Sequence, residues 1–161
     1  RSSAASDVYK RQPVGVQFIH LGNALVVVAV LLYGSKSAAL VASLGLGIFD
    51  FLNGYASVVW ITILESLLIC FLLHLIYEKG MQSSQKSQAI IAVGVVAALA
   101  KLLINIIKYI LFGYFGAQLP FQAALLAALG KVGGSFGTTL LTMIAVPFIY
   151  PALKRLRERL N

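Results

Sequence analysis

The sequence predicts an all-α fold, a polytopic transmembrane helix bundle, and three observations carry that prediction. Of the 161 residues, 60% are hydrophobic and only 11% charged, where a soluble domain carries roughly 45–50% apolar and 25% charged residues. Mean hydropathy is +0.90 over the whole length, so the apolar excess is global. Five apolar runs approach the ~20 residues that a helical membrane crossing needs, and each is bounded by turn residues or charge.

In chain order, the first helix is expected over about Phe18–Tyr33, stopping at Gly34-Ser35-Lys36-Ser37, a turn-like tetrapeptide with one positive charge. The second runs from Ala38 to Asn53 and stops at Gly54. The third covers Ser57–Tyr77 and is followed by a polar loop, Glu78 through Gln88, the clearest break in the chain. The fourth spans Ala89–Phe112. The fifth starts at Pro120, where a proline suits the first turn of a helix, and continues to Tyr150. Pro147 and Pro151 are expected to bend or end it ahead of a tail, 151–161. Small residues at four-residue spacing, Ala38 with Ala42, Ser43 with Gly47, Gly130 with Gly134 and Gly133 with Gly137, are expected to let backbones approach closely, inside the bundle or against a partner.

The formal charge is +8, from 13 Lys and Arg against 5 Asp and Glu. Its placement argues against nucleic acid and for a lipid environment. Lys36, Lys79, Lys86, Lys154, Arg155, Arg157 and Arg159 fall in the connections 34–37 and 78–88 and in the tail, whereas 54–56 and 113–119 hold no charge. Basic loops stay in the cytoplasm, which puts the tail there and the N-terminal side of an odd number of helices outside. Residues 1–12, with Arg1, Lys10 and Arg11, break this pattern. They resemble a translated cloning or adaptor leader, so the native segment is expected to begin at Pro13 as a single transmembrane domain, 13–161. The single cysteine, Cys70, has no partner for an internal disulfide.

Ionisable residues inside membrane helices are costly and mark functional sites by default. At ~1.5 Å rise per residue, Asp50 and Lys108 lie within roughly 6 Å of the outer helix ends, Asn105 at about 10 Å and Glu65 at about 12 Å. Lys101 and Lys131 reach about 16 Å, near the midplane. Lys101, Asn105 and Lys108, four and three residues apart, share one face of the fourth helix. Asp50 and Asn53 share a face of the second, next to Tyr55 and Trp60. With His20 at the mouth, these residues outline an outward-opening polar pocket suited to a small, flat, polar ligand. The competing expectation is structural: Glu65 paired with Lys101 or Lys131 to lock helices together, Lys108 snorkelling to the interface, and Trp60 and the tyrosines serving as interfacial anchors. His74, the one ionisable residue of the inner half away from the interface, is expected to be structurally satisfied. No nucleotide-binding Gly-rich Lys-Ser/Thr loop, paired-His zinc motif or nucleophile with a matched base occurs. No cofactor is expected in this chain, and it is not read as an enzyme.

Gly15-Val16-Gln17-Phe18-Ile19-His20-Leu21-Gly22-Asn23-Ala24, then Leu32-Tyr33-Gly34-Ser35-Lys36 and Gly45-Leu46-Gly47-Ile48-Phe49-Asp50-Phe51-Leu52-Asn53-Gly54-Tyr55, resemble the substrate-binding S component of energy-coupling factor (ECF) vitamin transporters. The similarity is densest over residues 15–60 and points to the group with riboflavin-, hydroxymethylpyrimidine- and pyridoxine-type members. The resemblance implies a six-helix bundle in the plasma membrane of a prokaryote, of which five helices are present and the family's first is absent. It also implies a vitamin or precursor bound near the outer face, with the segment Pro13–Ile19 as a lid. The implied partners are a transmembrane coupling subunit and two ATPase subunits. Asn23 stands where the family carries an acidic residue after His-Leu-Gly, and Glu65 where it often carries a lysine. The alternative from another class is a membrane scaffold or assembly subunit whose charges only pair helices.

Overall fold

The computed structural model describes residues 21–160. His20, the opening residues of the first expected helix, the segment Pro13–Ile19 and the leader 1–12 lie outside the described residues. Five helices follow one another: α1 Gly22–Tyr33, α2 Ser35–Leu52, α3 Val59–Leu73, α4 Ser87–Leu111 and α5 Phe121–Leu160. A 3-10 turn, Ala56–Val58, leads into α3, and π-helical turns, His74–Gly80 and Phe112–Gly116, prolong α3 and α4. With those extensions α2 to α5 are long and apolar enough to cross a membrane, while the described part of α1 is a shorter apolar helix. Short connections make sequence neighbours antiparallel. The turn at Gly34, the loop 81–86 and the end of α5 therefore gather at one end, with the basic residues. The connections 53–58 and 117–120 form the opposite, uncharged end.

Several helix boundaries differ from expectation, two of them for a visible reason. Helix α2 begins at Ser35 rather than Ala38, because Gly34 alone makes the turn with φ 84° and ψ 162°, a left-handed conformation open to glycine. The first turn of α2 is then capped from another helix. The Ser35 N–H donates to Glu78 Oε1 at 2.5 Å and its hydroxyl to Oε2 at 3.1 Å. His74 Nδ1 lies 2.6 Å from the same Oε2, so His74 is structurally satisfied. The second difference is in α5, which runs through Pro147 and Pro151 to Leu160. Each proline removes an N–H from the helical ladder, but the far end is held from outside. Arg157 Nη1 donates to the Leu32 carbonyl at 2.5 Å, its guanidinium lies 5.8 Å from the Tyr33 ring centroid, and Lys154 Nζ donates to Gln85 Oε1 at 2.5 Å. At ~1.5 Å per residue α5 is about 60 Å long, twice the ~30 Å hydrocarbon thickness.

Helix α1 is the central element and touches all four others. That position matches its sequence, apolar on every side, with Val27, Val28 and Val30 almost wholly buried. They meet Ile69, Cys70 and Leu73 of α3, Val93 and Ala97 of α4 and Val146 of α5. Tyr77 and Tyr150, both buried, belong to the same aliphatic core on its basic-end side. Helices α4 and α5 form the most extensive pair, and small residues on α4 permit it. A Cβ on Gly94 would stand 3.3 Å from Val146 Cβ, and one on Gly113 would stand 3.0 Å from Ala124 Cβ and 3.2 Å from its Cα. The small residues expected to serve this purpose are used unevenly. Ala38 and Ala42 are buried in the core, but a Cβ added at Gly130 or Gly133 would meet nothing within 4 Å, so neither glycine serves a close helix approach inside the bundle.

Two stability measurements in detergent check this packing. Gly113→Ala forces the start of α5 outward and lowers stability by about 1–3 kcal/mol, whereas Gly133→Ala, in open space, leaves it unchanged or raises it by about 0.5–1 kcal/mol through helix propensity. Glu78→Ala uncaps α2 and leaves Ser35 and His74 without their shared acceptor, a loss of about 1–2 kcal/mol; its exposed neighbour Lys79→Ala is neutral.

Candidate functional site

Between the aliphatic core and the uncharged end, α3, α4 and α5 turn polar side chains toward one another. Glu65 projects from the middle of α3 and is 6% exposed. Two lysines of α4, two helical turns apart, converge on it: Lys101 Nζ donates to Oε2, and Lys108 Nζ lies 2.6 Å from Oε1, a charge contact without a directed hydrogen bond. Asn105, between the lysines on the same face, is also buried. Its Oδ1 accepts from Lys108 Nζ at 3.1 Å, and its Nδ2 donates to Ser135 Oγ of α5 at 3.2 Å. The stripe read from the four- and three-residue spacing is therefore a real interior face. Two lysines on one carboxylate leave a single positive charge in excess.

The cluster extends along α5 through residues the sequence reading passed over. Ser135, Thr139 and Thr142 are all buried, at spacings of four and three that place them on one helix face. Thr139 Oγ1 donates to the Ser135 carbonyl and Thr142 Oγ1 to the Thr138 carbonyl, each at 2.8 Å, a satisfaction of hydroxyls within the helix's own preceding turn. Asn23 of α1 donates to Thr142 Oγ1 at 3.3 Å, so the first expected site residue among the described residues joins this polar face. Tyr109 was passed over as well. Its ring centroid lies 5.2 Å from Lys108 Nζ and 5.7 Å from Lys131 Nζ, both within cation–π range. The exposed Lys131 is not an ion-pair partner of Glu65; Lys101 and Lys108 take that role.

The remaining expected site residues make no hydrogen bond to this cluster among the described residues. Asp50 is buried at the end of α2, and its Oδ2 has no hydrogen-bond partner among the described residues. It lines a cavity of about 470 Å³ between α1 and α2, with Leu21, Gly22, Val26, Ala42 and Gly45. Asn53 does not share its face: it is exposed, and its Nδ2 donates to the Phe49 carbonyl at 2.8 Å, closing its own helix. Tyr55 and Trp60 are also exposed, with Trp60 Nε1 donating to the Ser57 carbonyl at 3.2 Å.

A groove of about 610 Å³ opens between α3 and α4 toward the uncharged end, with Glu65 and Lys108 in its wall and Trp60, Leu64, Phe112 and Phe115 around them. Its surface is mostly apolar and aromatic, with charge confined to one side. That combination holds a ring by its faces and orients it by a few polar atoms. No group of three or more His, Cys, Asp or Glu able to hold a metal ion occurs among the described residues.

Comparison with curated proteins and with solved structures gave no match. A family model described as the ECF-type riboflavin transporter, S component, matches residues 11–155. The match runs across the polar cluster, the aliphatic core and most of α5, and the chain belongs to that family of transporter S components.

Proposed function

We propose that this chain binds a vitamin or vitamin precursor at the polar cluster of α3, α4 and α5, from the external side of a prokaryotic plasma membrane. Family membership makes it a substrate-binding subunit of a vitamin transporter and a multi-pass membrane protein, within a transport family rather than an enzyme family. The finer reading rests on one observation. Glu65, Lys101, Asn105, Lys108 and Ser135 lie together on the uncharged side of a bundle whose other side is filled with aliphatic side chains. The basic loops at the far end support the orientation, because basic loops are retained in the cytoplasm; the C-terminus is cytoplasmic on this reading.

Within the cluster the roles divide by chemistry. Asn105 offers an amide donor and acceptor, Lys108 a donor that a ligand carbonyl or anionic oxygen can recruit, and Ser135 a hydroxyl that both donates and accepts. Lys101 and Glu65, the more deeply held pair, fix the positions of the others. Trp60, Phe112 and Phe115 supply apolar faces for a flat ring, and the family description makes riboflavin the first compound to test. Asn23, Asp50, Asn53, Tyr55 and Lys131 complete the proposed set among the described residues, and His20 joins it from its place in the sequence. The chain contributes binding alone and carries no cofactor. Transport energy comes from a coupling membrane subunit with two ATPase subunits.

The scaffold reading is favoured by one feature, the ion pairing of Glu65, and the same variants separate the two. Asn105→Ala and Lys108→Ala lower riboflavin affinity by about tenfold or more each, a loss of at least one charge-assisted or amide hydrogen bond at ~1.5–3 kcal/mol, while thermal unfolding in detergent is little changed. A pure scaffold shows the reverse, altered stability with no saturable binding of any flavin, pyrimidine, pyridine or thiamine compound to the parent chain. Glu65→Gln leaves two lysines without a counter-charge in hydrocarbon and destabilises by about 3–5 kcal/mol.

A further inference from the structure

The basic end carries a second concave site, on the opposite side of the molecule from the proposed vitamin site and independent of that reading. A cavity of about 490 Å³ lies between the start of α4 and the projecting part of α5. Its wall changes character along the helix axes. Ile90, Ile91, Pro147 and Pro151 form an apolar stretch, and Lys154, Arg155 and Glu158 stand beyond it at the rim, two positive charges against one negative. Ile91 is 48% exposed and Ile90 buried, so the apolar stretch is open at the side.

The rim is electrostatically unequal. Lys154 is engaged, donating to Gln85 Oε1 at 2.5 Å and lying 3.9 Å from Glu158 Oε1. Arg155 makes no hydrogen bond or ion pair among the described residues, and its exposed guanidinium is left with five donors. Arg157, one turn of helix away from Lys154, is committed to the Leu32 carbonyl and the Tyr33 ring, which fixes the projecting helix against α1 and holds the rim in place. Lys79 and Lys86 are at the same end and also lack ion pairs among the described residues.

We propose that this cavity binds one anionic phospholipid of the adjoining leaflet, its phosphate on Arg155 and Lys154 and one acyl chain along Ile90, Ile91, Pro147 and Pro151. The order of the wall carries the choice of occupant. The apolar part adjoins the membrane-spanning length of α4, and the basic part lies where α5 leaves the hydrocarbon, the same direction in which a lipid passes from chain to headgroup. An acidic peptide docking from solution would meet the rim but would have no chain to place along Ile91. Guanidinium binds phosphate through a planar pair of donors, and a basic residue near an anionic membrane surface contributes enough to change affinity about fivefold. A lipid held here would also bridge α4 to the helix extension that Arg157 ties to α1.

Native mass spectrometry of the purified chain, titrated with phosphatidylglycerol and with phosphatidylcholine of matched chains, tests this directly. The expected result is one phosphatidylglycerol retained per chain in preference to phosphatidylcholine, with K154Q/R155Q weakening retention by about tenfold or more and K36Q/K79Q, which removes the same charge at the same end, changing it less than about threefold. Short-chain phosphatidylglycerol is expected to bind more weakly, and excess inorganic phosphate to leave the long-chain lipid bound. Equal retention of the two lipids, or equal losses in the two double variants, would overturn the proposal in favour of diffuse surface charge. Displacement by inorganic phosphate at similar concentration would overturn it in favour of a simple anion site.

Discussion

The buried carboxylate of Glu65 sets the constraint on which the polar half of the bundle depends. An ionised group in hydrocarbon must be paired, and here a single carboxylate satisfies two lysines drawn from successive stretches of α4. With both lysines turned inward, Asn105 lies between them and must face inward too, which brings it to Ser135 of α5. Three helices are thereby held in one register by side chains whose alternative is an unpaired polar atom in lipid. Apolar burial does not do this work in a bilayer, because lipid chains are as apolar as leucine.

The same logic divides the molecule. In the half toward the basic end, Val27, Val28, Val30, Leu73, Val93 and Val146 are almost wholly buried together, with Tyr77 and Tyr150 part of the same core. In the other half, α3 and α4 part to leave a groove beside the charged cluster. A firmly packed base under a polar, partly open end suits a protein that holds a small molecule at one side of a membrane. Polar contacts between helices recur in both halves: Asn23 to Thr142, Ser35 to Glu78, and Arg157 to the Leu32 carbonyl. Each is individually modest, ~0.6 kcal/mol on average in a membrane interior, and together they fix the order of helices around α1.

Much of this arrangement was legible in the sequence because the physics involved is local. Helix number followed from apolar run length, and the inward face of α4 from the spacing of Lys101, Asn105 and Lys108. What could not be read was pairing between distant segments. Nothing near Glu78 indicates that its carboxylate caps a helix beginning 43 residues earlier, so it was assigned to a loop. The persistence of α5 past two prolines depends on Arg157 reaching Leu32, again across the fold. Glu65 was equally compatible with Lys101 or Lys131 until helix positions were known. Asp50 and Asn53 were paired by their three-residue spacing, but the end of α2 places one inside and the other outside. The stripe Ser135, Thr139 and Thr142 was readable by the same spacing rule and was overlooked because hydroxyl residues in an apolar helix carry no charge to draw attention.

The account stands on the cluster being a binding surface reached from outside the cell. Its most direct test replaces Leu64, exposed in the groove wall beside Glu65 and Lys108, by cysteine in a Cys70→Ala background and treats intact cells with a membrane-impermeant maleimide. The expected result is labelling at position 64 that slows when riboflavin or another bound vitamin is present. Labelling only after the cytoplasmic side is exposed, or labelling from outside at a rate no such compound alters, would contradict it.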